Sequence, residues 1–301
     1  MKLLTLCREP RLYSCQRLKA AAAERGWDMD ILDPNRCQLL LQEGQLALYY
    51  QEGEAFCKNR PQPYRLQGYT GVLPRFGTAS TQMGLNVLRH LEGQGIPALN
   101  GAQAFGLARD KWQSLQALVV AGLPVPSSAL MGDLFNPAQG LEGLGEACVI
   151  KTLSGSQGVG VILSERPSST ASILDTLKQA QVDCLVQAFV EEAQGEDIRA
   201  FVVGGKVVAA MKRIGQAGDF RANIHQGGTA EALILSREEE NIALRAAQAI
   251  GLDVAGVDLI RSHHGPMVLE VNASPGLEMI EQVSKVDIAG LMIEHLLQKI
   301  D

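Results

Sequence analysis

Three oxygen-bearing side chains late in the chain, Asp258, Glu270 and Asn272, carry its clearest chemistry. They stand in two apolar, β-branched runs, Val254 to Arg261 and Met267 to Asn272, separated by Ser262-His263-His264-Gly265-Pro266. That spacing predicts a β-hairpin with a loop of about five residues. With the loop centred on His264, Asp258 lies opposite Glu270, and because side chains alternate along a strand, Asn272 shares their face. Val257, Leu259, Leu269 and Val271 then point into a core. Two carboxylates facing each other across a strand pair repel unless a cation lies between them. A few hard oxygen donors suit Mg²⁺ or Mn²⁺ shared with substrate phosphates better than Zn²⁺. On these residues alone the alternative is a solvated polar face, the ordinary fate of charged side chains.

Two lysines and a glycine-rich stretch extend the same chemistry. Lys111 stands in the first turn of a helix predicted from Asp110 to Ala121, with Asp110 as N-cap and Gly122 as terminator. The helix dipole favours an acid at that end, so a lysine there is either a solvated surface residue or placed for an anion. Leu153-Ser154-Gly155-Ser156-Gln157-Gly158 joins two predicted strands, Ala147 to Thr152 and Val159 to Leu163. It lacks the Lys-Ser/Thr of a Walker loop and leads into no helix. Such a hairpin can instead lie over a nucleotide and offer the backbone N–H groups of Ser156, Gln157 and Gly158 to phosphates, with Lys151 reaching them from below. A simple tight turn is the competing reading.

The elements that must position these groups follow from pattern. Lys2 to Leu6, Ser14 to Arg25 and Trp27 to Leu32 read as strand, helix and strand, the start of a parallel sheet. Gly71 to Arg75, Ser80 to Gly93 and Ile96 to Leu99 continue it, so about the first hundred residues form a small Rossmann-like domain, without GxGxxG after the first strand. Residues 35 to 65 give no firm pattern beyond an alternation in Gln45 to Tyr50 and prolines at 61 and 63. Beyond the glycine-rich hairpin come a helix, Pro167 to Ala180, a strand, Cys184 to Val190, and a hairpin turning on Gly204-Gly205. Ser236 and Glu239 form a capping box opening a helix that runs to Ile250, and a last amphipathic helix covers Asp287 to Lys299.

Composition narrows the class. At 301 residues the chain suits about two domains. It is 46% hydrophobic and 20% charged, with no apolar run near the ~20 residues of a membrane span. The stretch before Arg8-Glu9-Pro10 is too short for a signal peptide, which predicts a cytoplasmic protein without a membrane partner. A net charge of -6 without a basic stripe argues against direct nucleic-acid binding. Six cysteines without CxxC spacing argue against a zinc or redox motif.

Taken together, Arg109-Asp110-Lys111, Val149-Ile150-Lys151, Gly155 to Val161, Val186 to Val190, Asp197-Ile198-Arg199, Asp219 to Asn223, Val257-Asp258 and Glu270 to Gly276 resemble the ATP-grasp ligases. Leu12 to Cys15, Pro74 to Gly77 and Asp219 to His225 resemble the RimK family within them, which adds L-glutamate to the C-terminus of a small-subunit ribosomal protein. The resemblance implies a mixed α/β fold: a pre-ATP-grasp domain over 1–100 and an ATP-grasp domain over 101–301, divided into 101–187 and 188–301 with the nucleotide between. It implies ATP and two Mg²⁺ or Mn²⁺ ions as cofactors, the metals on Asp258, Glu270 and Asn272. By position, Lys111 and Lys151 meet ATP phosphates, Gln187, Ala188 and Phe189 line the adenine through backbone, and Asp197 faces the nucleotide. Arg221, the one side chain given a catalytic role, would with Ala222 and Asn223 bind phosphate or the acyl group. Arg75, Arg199 and Arg213 are candidates to clamp substrate carboxylates.

The activity so implied is ATP-dependent amide formation through an acyl phosphate, with L-glutamate and a protein or peptide C-terminal carboxylate as partners, in a homo-tetramer. The competing readings are the same chemistry on a small-molecule, peptide or polyglutamate acceptor, and an ATP-binding module without catalysis.

Overall fold

The computed structural model of the chain describes residues 1–54, 56–153, 160–216 and 228–300. The first strand, β1 (Lys2–Leu6), is apolar except for Lys2 and Thr5, and Leu3, Leu4 and Leu6 are wholly buried. Helix α1 (Tyr13–Glu24) returns the chain to β2 (Asp28–Leu32), parallel to β1 as expected of a βαβ unit. The stretch without a firm pattern is a small antiparallel sheet. In it β3 (Cys37–Gln42) and β4 (Gln45–Tyr50) turn on Glu43-Gly44, both at positive φ, and β5 (Tyr64–Arg65) pairs with β4. β6 (Tyr69–Pro74) completes a parallel sheet in the order β2-β1-β6 and leads into α2 (Thr81–Gly93). The strand expected at Ile96 to Leu99 is reduced to one parallel bridge, Val72 to Ala98, because Pro97 has no N–H to donate.

Asp110 divides two helices, α3 (Ala102–Arg109) and α4 (Lys111–Val120), and caps the second by accepting from the Gln113 N–H at 2.9 Å. A four-stranded sheet follows, built from β7 (Ser128–Leu130), β8 (Cys148–Thr152), β9 (Val161–Ser164) and β10 (Cys184–Ala188) in the order β7-β10-β8-β9, with α5 (Pro167–Gln179) between β9 and β10. Alternation splits its residues. Cys148, Ile150 and Val186 join Leu174 of α5 in a separate small core, while Lys151 and Gln187 lie on the opposite face.

The largest sheet is antiparallel: β11 (Glu196–Val203), β12 (Lys206–Ile214), β13 (Thr229–Ala232), β14 (Val254–Ser262) and β15 (Gly265–Asn272), in the order β13-β12-β11-β14-β15. Gly204 and Gly205 turn β11 into β12 at positive φ, and α6 (Arg237–Ile250) enters through the expected capping box. One face, carrying Ile198, Ala200, Val257 and Leu259, shares a core with Ile242, Ala246 and Ile250 of α6 and with Leu115 and Leu118 of α4. So α4 packs on the five-stranded sheet.

Along the other face the character changes. Phe201, Val203 and Val254 share a core with Leu3, Leu18 and Leu73, with Ile280 of α7 (Glu278–Ser284), and with Ile293 and Leu296 of α8 (Ile288–Ile300). Beyond Phe201 and Val254 the same alternation places Asp197, Arg199 and Asp258, and that polar end is the site. The parallel sheet is tied to the C-terminal helices by Arg25 with Glu294 and Arg17 with Asp287, both 2.6 Å. Asn100, which follows the Val72 to Ala98 bridge, is almost wholly buried. Its amide donates to the carbonyls of Val254 and Ala273 at 2.8 and 3.0 Å and accepts from the Val254 N–H, so one side chain holds the start of β14 and the exit of β15. No helix among the described residues is long and apolar enough to cross a membrane.

Candidate active site

The hairpin that carries Asp258, Glu270 and Asn272 is tighter than its sequence predicts. Its strands extend to Ser262 and from Gly265, leaving a two-residue turn, His263-His264, where a loop of about five was expected. With that turn alone Asp258 would pair with Leu269. A bulge between Asp258 and Leu259 shifts the register by one residue, pairing Leu259 with Val268 and Asp258 with Glu270. The expected facing of the two carboxylates is therefore reached by another route, and one core assignment changes. Val268 is fully buried, whereas Leu269, the extra residue of the bulge, is only partly covered.

Opposite residues in an antiparallel pair hold their Cβ atoms about 5 Å apart, yet Asp258 and Glu270 have unlike surroundings. Asp258 is buried and accepts from both edges of Arg199, from Nε and, at 2.7 Å, from Nη2. Arg213 Nη2 lies 2.9 Å from its Oδ2. Arg213 also grips Asp197 through two bonds, at 2.5 and 2.6 Å. Register explains the set: Arg199 faces Asp258 across β11 and β14, and Asp197 faces Arg213 across β11 and β12. Gly256 makes room for it, since a Cβ there would come within 2.7 Å of Pro275 and 3.1 Å of Arg199. Arg199 and Arg213, expected as clamps on substrate carboxylates, are thus committed to the protein's own carboxylates. The alternation that put them on the site face also put two aspartates within their reach.

Burial disfavours the charge on Asp258, but Arg199 and Arg213 outweigh it and hold its pKa below the ordinary carboxylate value. Asp197 is largely but not wholly covered, and that desolvation together with the neighbouring Asp258 charge outweighs Arg213 and pushes its pKa up from 3.8 to about 6. Between those two values the folded chain retains a proton that the unfolded chain has released. The contribution of Asp197 to stability is therefore greatest at the acid end of that window and falls as pH rises to about 6. Asp258, with a depressed pKa, acts in the opposite sense and only at lower pH. Urea midpoints measured from pH 4 to 7 should show the Asp197→Asn variant lacking this decline, and an unchanged profile would contradict the assignment.

Glu270 is half-buried, and no hydrogen bond or ion pair among the described residues ends on its carboxylate. Three cations feel it. Burial lowers the pKa of Lys111, Lys151 and Arg109, and Glu270 partly restores each. Lys111 Nζ donates to the carbonyls of Thr152 and Leu153, at 2.8 and 3.4 Å, joining the start of α4 to the end of β8. Lys151 Nζ donates to Gln187 Oε1 at 2.6 Å, and Gln187 Nε2 donates on to Ser128 at 2.9 Å, a polar relay across β8, β10 and β7. Gln187, expected beside the nucleotide, thus also fixes a lysine. The N–H groups of Ala188 and Phe189, in the segment expected at the adenine, donate to Ser127 and Ala147 at 2.8 and 3.1 Å. A base lying there would not find those two donors open.

Asn272 Nδ2 points inward to Gly256 O and Asp258 Oδ2, both 3.4 Å, which turns its oxygen outward. The donor set for a divalent cation is then the two oxygens of Glu270, the amide oxygen of Asn272 and the remaining lone pairs of Asp258. Hard oxygens in that number fit Mg²⁺ or Mn²⁺ shared with phosphates. Among the described residues no group of three or more His, Cys, Asp or Glu gathers anywhere, and this set consists of two carboxylates and one amide. Arg75 reaches the same region, donating from Nη2 to Pro275 O at 2.7 Å. Ser156, Gln157, Gly158, Arg221, Ala222 and Asn223 lie outside the described residues. The sequence gives no functional signal for Asn100 or for the positioning role of Gln187, and marks Arg109 only as part of the Arg109-Asp110-Lys111 motif.

Comparison with known proteins gives concordant results. Residues 1–105 match the model of the RimK PreATP-grasp domain and residues 108–296 that of the RimK-like ATP-grasp domain. A probable alpha-L-glutamate ligase of Haemophilus influenzae is 56% identical over 298 residues, covering 98% of this chain and 97% of its own. One of the same description from Pasteurella multocida is 56% identical over 301 residues, covering 99% and 95%. Among solved structures, the ATP-grasp ligase PsnB complexed with a phosphomimetic variant of minimal precursor, Mg and ADP superposes with a TM-score of 0.71 at 20% identity, covering 100% of this chain and 98% of that one. The D-cycloserine synthetase DcsG gives 0.72 at 17% identity, covering 99% and 100%.

Proposed function

This chain belongs to the RimK-like ATP-grasp family of C–N bond-forming ligases, and from that premise we propose that it uses ATP to join the amino group of L-glutamate to the C-terminal carboxylate of a protein or peptide. The observation that carries the reading is the proximity of Glu270, whose carboxylate has no bonded partner among the described residues, to the half-buried cations Lys111 of α4 and Lys151 of β8, which feel its charge. Cations outnumber carboxylates there, as a polyphosphate requires.

In the first step an oxygen of the acceptor carboxylate attacks the γ-phosphorus of ATP, the bond to the bridging oxygen breaks, and ADP leaves with an acyl phosphate formed. The glutamate amine then attacks the acyl carbon, loses a proton and expels inorganic phosphate. Phosphoryl transfer of this kind needs positioning and charge neutralisation more than a protein nucleophile. Lys151, held by Gln187, and Lys111, held at the end of β8, supply fixed positive charge at the phosphates. Glu270, Asn272 and Asp258 would hold Mg²⁺ or Mn²⁺, which when bound would supply charge neutralisation at the phosphates. Arg221 and Asn223 stand in this reading as phosphate or acyl ligands, with the division of the chain at residues 100 and 187 and a cytoplasmic location. A homo-tetramer is carried by the resemblance alone.

The relatives' description as probable alpha-L-glutamate ligases supports glutamate as the amine, and the neighbouring PsnB complexes with precursor support a peptide acceptor. A small-subunit ribosomal protein is the acceptor we propose first. Purified protein with ATP, Mg²⁺ and glutamate should release ADP when that protein is added, and intact mass should show added glutamate residues. ADP release without any protein acceptor would move the acceptor to a small molecule, and no ADP with any acceptor would leave a nucleotide-binding module.

A further inference from the structure

Two half-buried arginines beside the site each keep a buried nitrogen without a hydrogen-bond partner among the described residues. Arg75 Nη2 is anchored on Pro275 O at 2.7 Å, but its Nη1 is buried with no hydrogen-bond partner. Arg109 Nη2 is anchored on Phe76 O at 2.6 Å, with its guanidinium 5.2 Å over the Phe105 ring, and its Nε is likewise buried and unpartnered. Arg109 is thus anchored on the residue that follows Arg75, the two guanidinium groups lie close enough to feel each other's charge, and each anchored nitrogen restricts the direction of the unused N–H. Burial lowers the pKa of both, and Arg75 lowers that of Arg109 further, as neighbouring like charges must.

Among the described residues nothing nearby neutralises them fully. The ionisable neighbours of Arg75 are the buried thiols Cys7 and Cys15, and Arg109 feels Glu270, which it shares with two lysines. Unpaired buried cations are costly, and an unsatisfied buried N–H in a native fold calls for a cause. The place is suggestive in itself. Arg75 follows directly on β6 at the C-terminal edge of the parallel sheet, where open α/β sheets bind ligands, and Pro275 lies three residues beyond Asn272. An anion there would be adjacent to Glu270 yet outside the lysine pair.

We infer that Arg75 and Arg109 form a pocket for a non-reacting carboxylate of one of the two amino-acid substrates, setting the reacting group against the phosphates. The inference rests on the ligase reading and deepens it. Either the incoming glutamate or the terminal glutamate of the acceptor supplies that carboxylate, and kinetics separate the two. In R109Q and R75Q the KM for one of these substrates should rise about 10- to 100-fold, the loss expected for a charged hydrogen bond, with the KM for ATP nearly unchanged. R109K, which keeps the charge but loses the planar fork, should fall between.

Calorimetric titration of wild type and variants with L-glutamate and with the dipeptide Glu-Glu, in the presence of ADP and Mg²⁺, gives a readout independent of turnover. Binding lost in R75Q and R109Q supports the pocket even if no acceptor yields ADP, an outcome that would sink only the ligase reading. Unchanged binding and KM in folded variants, or a rise confined to the KM for ATP, overturns it. Circular dichroism establishes which variants are folded, and R109K decides if R109Q is not.

Discussion

Replacing Glu270 by glutamine will lower ADP formation about a thousandfold, equivalent to about 4 kcal/mol of barrier, and will barely alter the urea midpoint. The two halves of that expectation have the same origin. No internal partner among the described residues depends on the Glu270 carboxylate, which is half-exposed and serves only as a field for Lys111, Lys151 and Arg109. Glutamine keeps the shape and one hard oxygen but removes the charge that would hold a divalent ion against triphosphate. The Mg²⁺ concentration for half-maximal residual activity should therefore rise with the loss in rate. Activity within tenfold of wild type would mean that this carboxylate is not part of the phosphate-binding machinery.

The carboxylate directly opposite should behave in reverse. Asp258→Ala will destabilise the fold by about 3 to 5 kcal/mol, the cost of breaking a buried ion pair by removing one partner, and activity will go with it. Asp258 receives Arg199 through two nitrogens and shares Arg213 with Asp197, so its removal strands Arg199 and leaves Arg213 on a carboxyl that is already hard to ionise. Denaturant titration at constant slope measures this directly. A loss below about 1 kcal/mol would show that the guanidinium groups reach water or other partners, and would release Arg199 and Arg213 to serve a substrate after all.

The pair shows how far residue pattern alone reaches. Alternation within two β-branched runs placed Asp258, Glu270 and Asn272 on one face, and the capping box, the Gly204-Gly205 turn and the opening βαβ unit were equally plain, because each depends on neighbours a few residues away. Motif order along the chain sufficed for the family. Of the small sheet only β4 showed in the sequence, as the alternation of Gln45 to Tyr50, because the glutamines and exposed Leu41 of β3 and the two-residue β5 give no clean pattern, and Pro97 reduced a predicted strand to one bridge.

What the chain by itself determined is therefore the identity of the chemistry-bearing residues and the face each occupies. Only the tertiary structure decided which carboxylate is engaged and which is open. The bulge at Leu269 sets the register, the neighbours on β11 and β12 deliver Arg199 and Arg213 to Asp258 and Asp197, and Arg75 and Arg109 keep unused N–H groups. Charge pairing inside a fold is settled by distances between strands remote in sequence and by the loss of water around them, and neither is encoded in local periodicity.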